Sequence, residues 1–147
     1  MRAQAKKWVV TGGAGFIGSH IIKELVSRGQ EAVAVDNFST GSLSHLSSVQ
    51  NKIKVIPADI GDFSALLKAF QGADYVLHHA ALVSVPRSVE DPQLTWQINV
   101  SGTLNVLEAA RQAGVKRVVF ASSCCVYGSS SRPCRESAPK HPGSPYA

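Results

Sequence analysis

The stretch TGGAGFIGSH (Thr11–His20) places glycines at 12, 15 and 18, directly after a run of β-branched residues and directly before an amphipathic segment. Gly12 permits a tight turn, Gly15 lets backbone approach a pyrophosphate, and Gly18 lets a helix pack closely on a sheet. A helix that starts there offers free N–H groups and the positive end of its dipole to phosphates. Asp36 stands eighteen residues beyond Gly18. A carboxylate at that point accepts both hydroxyls of an adenosine ribose and repels a 2′-phosphate, which favours NAD over NADP. Asp59 and Ile60 close a later strand and would flank the adenine. Ala80 and Ala81 are small residues that let the chain run close to a cofactor. Asn99 is a poor helix former inside a helical segment, so it reaches a backbone or cofactor group, or else faces solvent. His78 and His79 have the side chains for acid–base work, but His78 lies inside an apolar run and reads as a buried, satisfied histidine.

The elements that must position these residues alternate. Strands are predicted at Lys7–Thr11, Glu31–Asp36, Lys52–Asp59, Tyr75–Ala81 (with its exit) and Arg117–Ser123. Helices are predicted at Phe16–Arg28, stopped by Gly29, and at Phe63–Phe70 behind an Asp62 cap. A long helix opens at Pro92, carries the stripe Ile98, Leu104, Val106, Leu107 and Ala110, and ends at Gly114. Residues 37–51 read as a loop with room for a short helix, and residues 126–147 as turn formers. Strands separated by helices imply parallel pairing with helices on both faces. The fold class is therefore α/β, a doubly wound parallel sheet of the Rossmann type with about five strands, in which ligands bind at the carboxyl ends of the strands.

Composition narrows the function. The 147 residues carry a net charge of +5, but the lysines and arginines are scattered, without the basic run and interleaved aromatics of a nucleic-acid surface. No apolar run approaches the roughly 18 residues of a membrane helix, and the start lacks a secretory signal, so a cytoplasmic protein is the expectation. Cys124, Cys125 and Cys134 form neither a disulfide framework nor a zinc spacing, and no metal site is predicted. All three read as reduced thiols, with Cys124 and Cys125 as small buried fillers behind the last strand.

Six blocks in order, TGGAGFIGSH, VDNFSTG, HHAALVSVPRSVEDP, NVSGTLNVLEAA, FASSCCVYG and SPYA, resemble the extended short-chain dehydrogenase/reductase family of NAD-dependent nucleotide-sugar epimerases and dehydratases. The likeness is closest to its UDP-glucose and UDP-N-acetylglucosamine 4-epimerase branch. It adds Phe16, Ile17, Asn37 and Ser122 to the cofactor contacts, and Ser84 and Arg87 as substrate contacts in the loop after the fourth strand. It implies Ser123 and Tyr146 as catalytic residues. In the family a tyrosine removes the sugar C4 hydroxyl proton while C4 gives a hydride to NAD, and the hydride later returns to the other face. Free tyrosine, with a pKa of about 10, is only about 0.1% phenolate at pH 7. A neighbouring lysine four residues on, together with the cofactor's charge, brings it into range, and the serine orients the hydroxyl.

The chain ends one residue after Tyr146, before that lysine. The resemblance therefore predicts an incomplete NAD-binding domain over 1–147, without the C-terminal substrate portion, inactive as it stands and with an exposed fifth strand. Relatives are often homodimers; for this chain the question is open. The dehydratase branch carries acidic residues where Cys124 and Cys125 stand, which favours an epimerase. A dehydratase, decarboxylase or reductase on nucleotide sugars, or an NAD-binding module without turnover, are the alternatives.

Overall fold

The computed structural model describes residues 4–130 and 132–147. Five parallel strands, β1 (Lys7–Thr11), β2 (Glu31–Asp36), β3 (Lys54–Pro57), β4 (Tyr75–His78) and β5 (Arg117–Phe120), form one sheet in the order β3-β2-β1-β4-β5. The chain winds outward from β1 to β3, then returns to the other side of β1 for β4 and β5. The winding reverses between β1 and β4, where a crevice must open at the carboxyl ends. The register brings those ends level, pairing Thr11 with Val35 and His78, Asp36 with Pro57, and His78 with Phe120.

Successive strand residues face opposite sides, so each central strand feeds two cores. Val9, Val33, Val35 and Val76 pack with α2 (Phe63–Phe70) and α5 (Gly102–Gln112), around the fully buried Leu66, Phe70 and Val106. Val10, Ala32 and Ala34 pack with Ile22 and Leu25 of α1 (Phe16–Ser27) and with Leu46 and Val49. Burial of each large side chain contributes about 1.5–3 kcal/mol. The outer strand β5 is thinly covered, with Val119 49% and Phe120 58% exposed.

Three local features depart from the sequence expectation. Residues predicted as loop form a short helix α3 (Val85–Glu90), because Ser84 accepts from the Arg87 N–H and Pro86 suits a first turn. The long helix is interrupted: α4 (Pro92–Trp96) runs into a π-turn at Gln97–Ser101 before α5. Its buried face is Gly102, Val106, Ala109 and Ala110, whereas Leu104 is 65% and Leu107 47% exposed. Small residues win the inner face because the helix packs so closely that a Cβ at Gly102 would meet Ile60 Cδ1 at 2.6 Å. The turn after β5, Cys124–Tyr127, is a 3-10 helix. It leaves Cys124 exposed and Cys125 half-buried, so the adjacent cysteines are not buried fillers. They sit past the end of the strand, where no helix covers them. All three cysteines are free thiols.

Candidate active site

A cleft of ≈ 710 Å³ lies over the carboxyl ends of the strands, at the reversal point. The glycine loop forms its floor. Gly12 takes φ +67°, and a Cβ there would lie 2.8 Å from Ala80 N, so the β1 and β4 loops touch through backbone alone. A Cβ on Gly18 would lie 2.1 Å from Gly12 O, which seats α1 directly on the loop. Whereas α2, α3 and α4 begin with side-chain caps from Asp62, Ser84 and Asp91, α1 has none. Its first N–H groups face the cleft with the positive end of the dipole, the arrangement an anion needs.

Asp36 is only 7% exposed, and backbone holds its carboxylate. Oδ2 accepts from Ala14 N–H at 2.9 Å and Oδ1 from Phe38 N–H at 2.8 Å. Phe38 adopts φ +58°, a left-handed conformation that costs a non-glycine residue about 1–2 kcal/mol. Its ring is anchored in the core beside α1. The Ala14 carbonyl accepts from Ser42 N–H and from His45 Nδ1, so the whole Ala14 peptide is clamped between Asp36 and the following loop. A carboxylate offers about four acceptor sites, these bonds use two, and Asp36 lines the cleft. Asn37 Nδ2 donates to Asp59 Oδ2 at 2.6 Å, closing the outer corner beside Ile60.

The opposite wall is the chain after β4. Asn99, on the π-turn, uses both ends of its amide on one residue: Oδ1 accepts from Leu82 N–H at 2.8 Å and Nδ2 donates to Leu82 O at 3.1 Å. Of the roles open to it, the backbone role is the one observed, and it still borders the cleft. His78 is 1% exposed, with Nδ1 at 2.6 Å from Thr11 Oγ1 and Nε2 at 3.0 Å from Thr103 Oγ1. Burial, helped by the like charge of His79, lowers its pKa to about 4, so it is neutral and satisfied. Burial also lowers the pKa of His79.

The far end is built on β5. Ser123 Oγ accepts from Cys125 N–H at 3.2 Å and so caps the 3-10 turn. The chain leaves at Gly128 (φ +71°) and comes back when His141 N–H donates to Val126 O. A Cβ on Gly128 would meet His141 O at 2.3 Å, so this crossing needs glycine. The return carries Tyr146 into the wall of the cleft with Ser122 and Ser123. Ser144 Oγ accepts from Ala147 N–H three residues on, the pattern of an N-cap.

Gly12, Gly15, Phe16, Ile17, Gly18, Asp36, Asn37, Asp59, Ile60, Ala80, Ala81, Asn99, Ser122, Ser123 and Tyr146 thus border one cleft, and Arg87 joins them. Ser84 does not border it; its side chain caps α3 by accepting from Arg87 N–H. Ser39, Thr40 and Thr103 also line the cleft without having been picked out. For Thr103 the four-residue spacing from Asn99 was the available signal. The glycine floor, uncapped helix and buried carboxylate fit a dinucleotide. A second hollow of ≈ 680 Å³, between Trp8 and α1, lies toward the amino ends of the strands, away from these groups. Among the described residues no three His, Cys, Asp or Glu side chains gather to hold a metal, and no helix is long and apolar enough to cross a membrane.

Comparison with known proteins adds to this geometry. Residues 8–147 match the NAD dependent epimerase/dehydratase family. The UDP-glucose 4-epimerase of Streptomyces lividans is 42% identical over 144 residues, covering 95% of this chain and 43% of that protein. A UDP-glucose 4-epimerase structure from Brucella ovis in complex with NAD aligns with a TM-score of 0.89 and 39% identity, covering 97% of this chain and 43% of that one. A UDP-N-acetylglucosamine 4-epimerase from Methanobrevibacter ruminantium M1, in complex with UDP-N-acetylmuramic acid, gives 0.89 and 38%, covering 98% of this chain and 46% of that one. The chain therefore spans less than half the length of these relatives.

Proposed function

Because the chain belongs to the NAD dependent epimerase/dehydratase family, we propose that it forms the NAD-binding part, with the Ser123 and Tyr146 edge, of a UDP-glucose or UDP-N-acetylglucosamine 4-epimerase site. The observation that carries this reading is the single cleft that holds the glycine loop and Asp36 at one end and Ser123 and Tyr146 at the other. Bound NAD would supply a reversible hydride acceptor for a carbon bearing a hydroxyl. The start of α1 would hold the pyrophosphate, and the two open acceptor sites of Asp36 the ribose hydroxyls. Tyr146 would take the hydroxyl proton, Ser123 would orient that hydroxyl, and Arg87 would face the nucleotide sugar.

Among the described residues Arg87 is the one permanent cation lining the cleft, and no lysine lines it with Tyr146 to stabilise a phenolate. These 147 residues would thus bind NAD without turnover. The exposed stripe Trp96, Val100, Leu104 and Leu107 is the surface this reading gives to a second copy of the chain. Calorimetric titration with NAD and NADP tests the cofactor; no NAD binding, or a preference for NADP, overturns it. A chimera continuing after Ala147 with the Streptomyces lividans sequence tests the chemistry on UDP-glucose and UDP-N-acetylglucosamine. The expected product is the C4 epimer, and the reading fails if water, carbon dioxide or net NADH is released instead.

A further inference from the structure

The hydroxyl hydrogens around His78 can be placed by counting donors. Thr103 has one, and its oxygen lies 2.6 Å from the Asn99 carbonyl oxygen, which can only accept. That hydrogen is therefore spent, and toward His78 the Thr103 oxygen must accept, so Nε2 carries the proton. In the neutral ring Nδ1 is then an acceptor, and the Thr11 hydroxyl donates to it across 2.6 Å. The Thr11 oxygen is left to accept from the His79 and Ala80 N–H groups, both at 3.3 Å. Every donor in this buried chain meets an acceptor. The other tautomer would set Thr103 and Nε2 lone pair to lone pair, and would make the Thr11 oxygen accept from Nδ1–H, taking from the Thr11 hydrogen its acceptor on the ring.

We infer that His78 is a positioning residue for the cleft: locked as its neutral Nε2–H tautomer between Thr11 and Thr103, it ties the end of β4 to the first turn of α5, whose Thr103 reaches back to the Asn99 carbonyl of the π-turn, and holds the Ala80–Leu82 wall from both sides. One side is Thr11 gripping the His79 and Ala80 amides, and the other is Asn99 gripping Leu82. The inference rests on the NAD reading only for what the wall is for.

The test is ¹⁵N NMR of the histidine ring and amide hydrogen exchange at Ala80 and Leu82, on the 147-residue chain without ligand, followed by NAD titration. Nε2–H at neutral pH, with slow exchange at both amides, is expected. Thr103→Val should speed exchange at Leu82 and weaken NAD binding about tenfold well below its melting temperature. Thr103→Ser should restore both, which a loss of stability alone would not produce. An Nδ1–H or doubly protonated His78, or a folded Thr103→Val chain with unchanged exchange and NAD affinity, overturns the inference. A wild-type chain that does not bind NAD overturns the cofactor reading instead, and the ring and exchange measurements still decide the role of His78.

Discussion

At the β1–β2 end of the cleft, the Asp36 carboxylate takes backbone N–H groups from Ala14 and Phe38, and the Ala14 carbonyl takes two more donors from the loop that follows. At the β5 end, Ser123 takes one N–H from its own turn, and Tyr146 is delivered by a chain that crosses back at His141. The first end sits between central strands whose side chains are buried on both faces; the second hangs on a strand whose Val119 and Phe120 are half exposed. The difference teaches where rigidity is built into this molecule. The β1–β2 end is preorganised by its own backbone, while the β5 end relies on a long return and an exposed edge.

The largest expected effect is at the rigid end. Gly18→Ala drives a Cβ into Gly12 O, a backbone atom that cannot move aside. It should destabilise the chain by about 3 kcal/mol and lower Tm by roughly 10 °C. Gly29→Ala is the contrast: Gly29 has a left-handed φ of +69°, which helical Gly18 lacks, but open space around it, so only about 1 kcal/mol of backbone strain is expected. Equal melting shifts for the two would show that close packing at Gly18 does not matter.

The pH profile probes the junction between the ends. The His78 pKa is lowered to about 4 in the folded chain from 6.5, so between these values the unfolded state binds more protons. Stability is then full above about pH 6.5 and falls as pH drops toward 4, by roughly 3 kcal/mol in all. The groups around the ring are Thr11, Thr103, His79 and the Phe120 ring, and the lowered pKa of His79 acts with the same sign. Glu108, held down to about 2 by Arg111 and Gln112, loses its contribution only below its ordinary 4.5. His78→Asn should flatten thermal melts between pH 6.5 and 4.5; a slope unchanged by this variant would assign the acid loss elsewhere.

A smaller change is expected from Asp36→Asn, which puts an NH₂ group against one of two backbone donors. It should cost about 2 kcal/mol of stability and weaken NAD binding at least tenfold, measured by melting and by titration. The smallest change in stability and NAD affinity belongs to the far end. Tyr146→Phe should move Tm by less than about 2 °C and NAD affinity by less than about twofold, while cutting epimerisation by the chimera more than about 100-fold. A large loss of NAD affinity in this variant would mean that the two ends are not as separate as their construction implies.

Much of the β1–β2 end was legible in the sequence, because its signals are local. Glycines at fixed spacing between a strand and a helix dictate a backbone shape, and the aspartate that closes the next strand falls beside it. What the pattern missed was non-local. The apolar stripe of the long helix counted Leu104 and Leu107 as inward, but tight packing on Ile60 handed the inner face to Gly102 and two alanines. Ser84, expected as a substrate contact, caps α3 and lies outside the cleft lining. The π-turn left no mark in composition, although it places Asn99 against Leu82 and leads directly into the turn of α5 that carries Thr103 against His78.

By itself the sequence determined a parallel sheet with a glycine floor and an acidic corner, since those depend on contacts within a few residues or between adjacent strands. It also marked Ser123 and Tyr146 by family resemblance. Only the tertiary structure decided that these two share the cleft with Asp36, because their meeting depends on the backbone crossing of His141 at Gly128. It likewise decided which proton His78 carries, because that follows from partners on two segments distant from β4 in the chain, and neither segment specifies it alone.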